Sequence, residues 1–206
     1  MVLVAEHFVL LALDPDGSPA RGHTNQAAVQ IGVTGALIIE LMQQGHLALD
    51  DGRIRLTGTC PNHPLLAQTL DNVSPFEGKK LKSRLGSVKH SGWSEVVDKM
   101  IEDGVLGREK TTLHPTRHPV LRPEVRQDVL DGVRAAAIGD GPLDARTAAL
   151  LALAGPSQML EVVAPDRADR KVVKRRIAEA SEQVPAAAAV KYAIEAATTS
   201  VFVAAT

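Results

Sequence analysis

A helical stripe that stops at a glycine and leads into a short extended run occurs twice in this 206-residue chain, 59 residues apart. Leu37, Ile38, Leu41 and Met42 fall at i, i+1, i+4 and i+5, which makes one apolar face of a helix. Gly45 sits where a left-handed cap ends such a helix. Leu47, Leu49, Ile54 and Leu56 then alternate with polar residues around Asp50-Asp51-Gly52, which predicts two short strands joined by an Asp-Gly turn. In the second copy Trp93, Val96, Val97, Met100 and Ile101 repeat the stripe and Gly104 repeats the stop. Val105-Leu106 opens an extended run there, with Thr111-Thr112-Leu113 expected to return across Arg108-Glu109-Lys110. Two copies are too few for a solenoid, so they are either related lobes of one domain or two instances of a common motif.

The core that such helices bury must be aliphatic and alanine-rich, because hydrophobic residues make up 45% of the chain and aromatics only 2%. That composition favours close-packed helices. The length allows one large domain with a substantial core. A formal net charge of −1 gives no global attraction to nucleic acid or anionic lipid, so binding to either needs a local patch. Cys60 is the only cysteine, which excludes an intramolecular disulfide and fits a reducing compartment. The apolar start, Met1 to Leu13, carries Glu6 and His7 and lacks the basic opening and cleavage site of a secretory signal. With no apolar run long enough to span a bilayer, a cytoplasmic protein is expected, at most peripheral on the cytosolic face of a membrane.

Further helices are predicted over Val2 to Leu13, Ala27 to Gln44 in one piece or two, and Leu65 to Val73. Others begin at Glu124 and cover Asp144 to Ala154, Gln158 to Ala164, Asp166 to Gln183 and Pro185 to Ala205. Asp14-Pro15-Asp16-Gly17-Ser18-Pro19 and Gly139-Asp140-Gly141-Pro142 are the clearest breakers. Gly32 and Gly35 weaken the continuity of the second helix, each by about 1 kcal/mol relative to alanine.

Few residues are placed for chemistry. Cys60-Pro-Asn-His63 with His114 and His118 has the donor types of a zinc site but no second ligand pair of standard form, so no metal is expected. Asp50-Asp51 resembles a carboxylate pair, yet acids before Gly52 are what an Asp-Gly turn uses. No nucleophile elbow, phosphate-binding glycine loop or dinucleotide fingerprint occurs, so neither an enzyme nor a cofactor is expected. The stretch Lys79-Lys80-Leu81-Lys82-Ser83-Arg84, followed by Lys89 and His90, is a local concentration of positive charge. It reads as a solvated connection or as a contact for an anionic surface. Lys171 to Arg176 lies among Asp166, Asp169, Glu179 and Glu182 and reads as a solvated helix face. Trp93, the sole tryptophan, belongs to a core stripe or to a membrane interface.

Taken in order, Glu6-His-Phe-Val-Leu-Leu-Ala-Leu13, Gly35-Ala-Leu-Ile-Ile-Glu-Leu41 with Gly45-His-Leu47, Glu102-Asp-Gly-Val-Leu106, Thr116-Arg-His-Pro119 and Asp144-Ala-Arg-Thr-Ala-Ala-Leu-Leu-Ala-Leu153 span nearly the whole chain. In that order and spacing they resemble the Golgi phosphoprotein 3 family, which also has bacterial members. The resemblance implies a mostly helical peripheral protein that recognises phosphatidylinositol 4-phosphate and holds membrane proteins by their cytosolic tails. In the family, a tryptophan and three arginines make the lipid pocket. Asn25, Thr34, His90 and Trp93 stand at those positions here. The candidate headgroup residues are therefore the nearby Arg21, His23, Arg84, Lys89, His90 and Trp93.

The expected molecule is mainly α. It is a compact multi-helix domain over residues 1–206, with small β-hairpins following related helices at about 35–56 and 93–113 and a helical part over about 124–206. Its expected role is a non-enzymatic adaptor for an anionic phospholipid headgroup. A protein-interaction module without lipid binding is one rival. A winged-helix-like nucleic-acid binder is the other, and the absence of a cation from Ala36 to Gln44 argues against it.

Overall fold

A computed structural model describes residues 2–20, 26–88, 92–110 and 116–203. The order is α1 (Val4–Ala12), α2 (Gln26–Gln43), β1 (Leu47–Asp50), β2 (Arg53–Leu56), α3 (Pro64–Val73), α4 (Leu81–Arg84) and α5 (Gly92–Glu102). From Pro123 on, the elements among the described residues are helices: α6 (Pro123–Ile138), α7 (Ala145–Ala154), α8 (Leu160–Val163), α9 (Arg170–Gln183) and α10 (Ala187–Val203). The molecule is mainly α with one two-stranded antiparallel sheet among the described residues.

The centre is α2. Every residue from Ile31 to Leu41 is buried, so this helix has no solvent face over three turns, and α1, α3, α5, α7 and α10 lie against it. It runs unbroken through Gly32 and Gly35, which are packing notches. A Cβ at Gly32 would lie 2.4 Å from Phe8 Cζ, and one at Gly35 would lie 2.5 Å from Val190 Cγ2. Phe8 of α1 and Val190 of α10 occupy the space that side chains there would need.

Both predicted glycine stops are present, with one hydrogen-bond pattern. After α2, Gly45 donates to Met42 O and His46 to Leu41 O, at 3.1 and 2.9 Å. After α5, Gly104 donates to Ile101 O and Val105 to Met100 O, at 3.0 and 2.9 Å. Gly45 has φ +76° and Gly104 φ +69°, the left-handed cap that closes a helix in this way.

The first hairpin pairs Leu47 with Leu56 and Asp50 with Arg53, as the alternation predicted. The second differs from expectation. The arm that returns to Leu106 is Arg117 to Val120, through the isolated bridges Leu106–Val120 and Glu109–Arg117, while Thr111 to Leu113 lies outside the described residues. Pro119 in that arm has no N–H to give, so the pairing stays as separate bridges and forms no continuous ladder. The basic run also differs from a plain connection. Ile54 N–H donates to Lys79 O at 2.9 Å and Gly78 N–H to Ile54 O at 2.8 Å, which lays residues 78–80 along the free side of β2 before α4 begins.

Hydrogen bonds from side chain to backbone fix the helices of the second half, one of them to the first. Arg126 Nε donates to Leu13 O at 2.8 Å, tying α6 to the end of α1. Asp144 caps α7 by accepting from Arg146 and Thr147 N–H, both at 3.0 Å. The Lys171 to Arg176 segment is not simply solvated. Arg176 reaches Ala136 O at 3.3 Å and also Gly141 O, so it covers carbonyls left open at the end of α6.

Substituting three glycines separates their roles. Gly35→Ala should cost about 1–3 kcal/mol by overpacking against Val190, and Gly104→Ala about 1–2 kcal/mol from its left-handed backbone. Gly132→Ala, exposed within α6 with open space around it, should gain about 0.5–1 kcal/mol. Urea unfolding midpoints of the three variants check the order.

Candidate functional site

Two buried carboxylates fix the helices from which the site is built. Leu3, at the start of α1, has no side-chain acceptor, and Glu6 supplies one by accepting its N–H at 2.5 Å. Glu40 of α2 accepts the next N–H, that of Val4, at 2.8 Å. Both residues are 5% exposed. Gln44 Nε2 donates to the other Glu40 oxygen at 3.0 Å, and Lys99 of α5 lies 3.7 Å from Glu6 while also pairing with Asp103. Lys99 is held above its ordinary pKa chiefly by Asp103, with Glu6 adding and burial opposing. The positive end of α1 thus receives two carboxylates, and the same node ties α5 to α1 and α2.

That node sets the meeting of α5 with α2. Gly92, the first residue of α5, sits so close to α2 that a Cβ there would lie 3.1 Å from Leu37 Cδ1 and 3.7 Å from Thr34 Oγ1. Thr34 is 3% exposed, and its hydroxyl donates back to Gln30 O at 3.2 Å. Trp93 follows, half-buried and packed on the core with Val96 and Val97, so it belongs to the core stripe. On the neighbouring side of α2 the helical turn Leu85–Ser87 and α10 close the junction. Two of the four positions matching the family's lipid pocket, Thr34 and Trp93, therefore fall at one junction, and neither offers a charge.

Of the candidate headgroup residues, Arg84 is exposed at the end of α4, directly before that turn. Arg21, His23, Lys89 and His90 lie outside the described residues, as does Asn25. In sequence the first two precede α2, and Lys89 and His90 precede α5. Sequence reasoning missed Arg53 and Arg55. Residues 78–80 alongside β2 place Lys80 opposite Arg53, and Arg55 is on the same face of the strand. The signal was present as Arg-Ile-Arg, because alternation about a buried Ile54 turns both arginines outward.

The other polar candidates serve elsewhere. Cys60 is exposed, and His118 Nδ1 lies 3.3 Å from Gly107 O. Among the described residues no three metal-ligating side chains converge. His63 precedes the first turn of α3, and its buried Nδ1 has no hydrogen-bond partner. Burial holds the His63 pKa below 6.5, with Glu6 opposing and Lys99 adding to the effect. His7, beside Arg146, is lowered first by burial and then by that guanidinium, against Glu40.

These two rings resist a proton that the unfolded chain accepts near pH 6.5, so stability is lost as pH falls through 6.5 toward the lower folded values. Thermal melts from roughly pH 7.5 to 5.5 should show a falling Tm, and His7→Gln with His63→Gln should flatten that slope.

A family model described as Golgi phosphoprotein 3 (GPP34) matches residues 4–197. No curated protein sequence matches the chain. The match covers α1 through most of α10, including both helices of the junction and the carboxylate node, so the chain belongs to the Golgi phosphoprotein 3 family.

Proposed function

We propose that this single-domain protein is a non-enzymatic peripheral membrane adaptor that takes an anionic phospholipid headgroup where α5 meets α2. Phosphatidylinositol 4-phosphate is the headgroup that the family likeness supplies. The observation that carries this reading is the junction itself: Gly92 against Thr34 and Leu37, with exposed Arg84 entering the adjoining turn. Family membership supports the adaptor role, since the family is generally non-enzymatic. No helix among the described residues is long and apolar enough to cross a membrane, so contact with a bilayer would be peripheral.

The buried, internally bonded Thr34 hydroxyl cannot replace a guanidinium, so charge must come from the segments that lead into the two helices. Arg21 and His23 before α2, and Arg84, Lys89 and His90 before α5, are the cations assigned to the phosphates, with Trp93 at the start of α5 as the remaining candidate. A phosphomonoester carries more than one negative charge near neutral pH and accepts several charge-assisted hydrogen bonds, so scattered cations suffice for recognition. Cytosolic tails of membrane proteins are the assigned cargo, and nucleic acid is not a partner.

Flotation with phosphatidylcholine vesicles, with and without phosphatidylinositol 4-phosphate, tests the reading at physiological salt. Recovery should rise with the phosphoinositide and fall for Arg84→Gln. Equal recovery from both vesicles would instead favour a protein-interaction module that has kept the family fold without its lipid site.

A further inference from the structure

The hairpin face that carries Arg53 and Arg55 is built from residues that, apart from Arg84, are not those assigned to the α2/α5 junction. Its construction begins with Ile54, which is 1% exposed and faces the core, so the strand alternation turns Arg53 and Arg55 to solvent. Residues 78–80 then lie along β2. Leu81 N–H donates to Gly52 O at 2.9 Å, and Arg53 Nη1 donates to Gly78 O at 2.9 Å. Lys80 stands opposite Arg53 across this contact. Lys79, Lys82 and Arg84 follow in the same segment and are all exposed. Six cations therefore gather on a hairpin and one helical turn of a chain whose net charge is −1. Asp50 and Asp51 counter the turn end, the latter 3.9 Å from Lys80, and Glu77 accepts the Leu56 N–H at 3.2 Å. The surplus remains positive.

One aromatic group completes the surface. Tyr192, the chain's only tyrosine, is 51% exposed on α10, and Lys82 Nζ lies 5.9 Å from its ring centre. Two residues earlier, Val190 is locked against Gly35, so α10 is fixed and the ring is presented from a rigid helix. A ring with a polar tip beside a lysine is suited to the boundary between water and acyl chains, where aromatic groups gather and basic side chains meet phosphates.

We propose that this face, from Arg53 and Arg55 through Lys82 to Tyr192, is a second membrane contact that reads the charge density of an anionic bilayer. The occupant is the headgroup layer of acidic diacyl lipid, met by many exposed cations at once, with Tyr192 as the anchor that is not electrostatic. Charge complementarity selects this occupant. The surface joins a sheet face and a single four-residue helical turn to a half-exposed tyrosine on α10, and a ring with a polar tip suits the boundary of a bilayer. The inference rests on the peripheral-membrane reading but uses none of the junction residues except Arg84.

Vesicles of phosphatidylcholine containing increasing phosphatidylglycerol, with no phosphoinositide, test it. Wild-type recovery should rise with phosphatidylglycerol and fall with salt. Arg53→Gln with Arg55→Gln should weaken partitioning roughly tenfold or more and make the salt slope shallower, since each cation near an acidic surface contributes a several-fold gain. Arg53→Lys with Arg55→Lys should restore both. Tyr192→Ala should weaken binding at every salt concentration without changing the slope, and Tyr192→Trp should retain it. Urea midpoints matching wild type confirm that the variants fold. Wild-type indifference to phosphatidylglycerol, arginine variants that bind like wild type, or salt-dependent retention of duplex DNA without vesicle binding would each overturn the proposal. In a parallel series in neutral vesicles with a small fraction of phosphatidylinositol 4-phosphate, the Arg53 and Arg55 variants should keep the phosphoinositide-dependent recovery of wild type, so the two readings fail separately.

Discussion

The rest of the molecule depends on a helix that has no outside. With so few aromatic residues, the core cannot be filled by large rings, and the alternative is to bring helix backbones together. α2 does this with Gly32 and Gly35, into which Phe8 and Val190 fit. Encasing a helix raises the cost of any polar group that it carries, because an unpartnered buried carboxylate is strongly unfavourable. Glu40 avoids that cost by serving α1, whose first N–H groups also need acceptors. One buried helix thus determines where α1 starts, and through Glu6 and Lys99 it sets how α5 lies against it.

What the sequence revealed was mostly local. The glycine stops and the Asp-Gly turn each depend on residues within a few positions of one another, and each formed as read. What it concealed depends on distant partners. Gly32 and Gly35 looked like weaknesses in a helix because Phe8 and Val190 are far away in the chain. Arg176 looked solvated because nothing nearby says that it reaches the carbonyls of Ala136 and Gly141. The described arm that pairs with Leu106 and Glu109 is Arg117 to Val120, which contains Pro119, and nothing in the β-branched run expected to return at Thr111 to Leu113, which lies outside the described residues, pointed to it.

The site was legible in outline only. Family order pointed to the junction, and Gly92, the neighbour of Trp93, does approach Thr34 there, yet the charges were assigned from linear proximity. A strip such as Arg53, Arg55 and Lys80 exists only once residues 78–80 lie beside β2. Hydrogen bonds between a strand and a passing segment have no periodicity of their own, so a charge run in the sequence conceals its most relevant neighbours.

The placement of the two rarest side chains has a practical consequence. The only tryptophan opens the helix that meets α2, and the only tyrosine stands on the helix that crosses α2 beside Lys82. Each chromophore occurs once, on a different helix. Red-edge excitation selects the lone indole, so the emission of the unlabelled protein reports on the helix junction without a contribution from the tyrosine of the basic face.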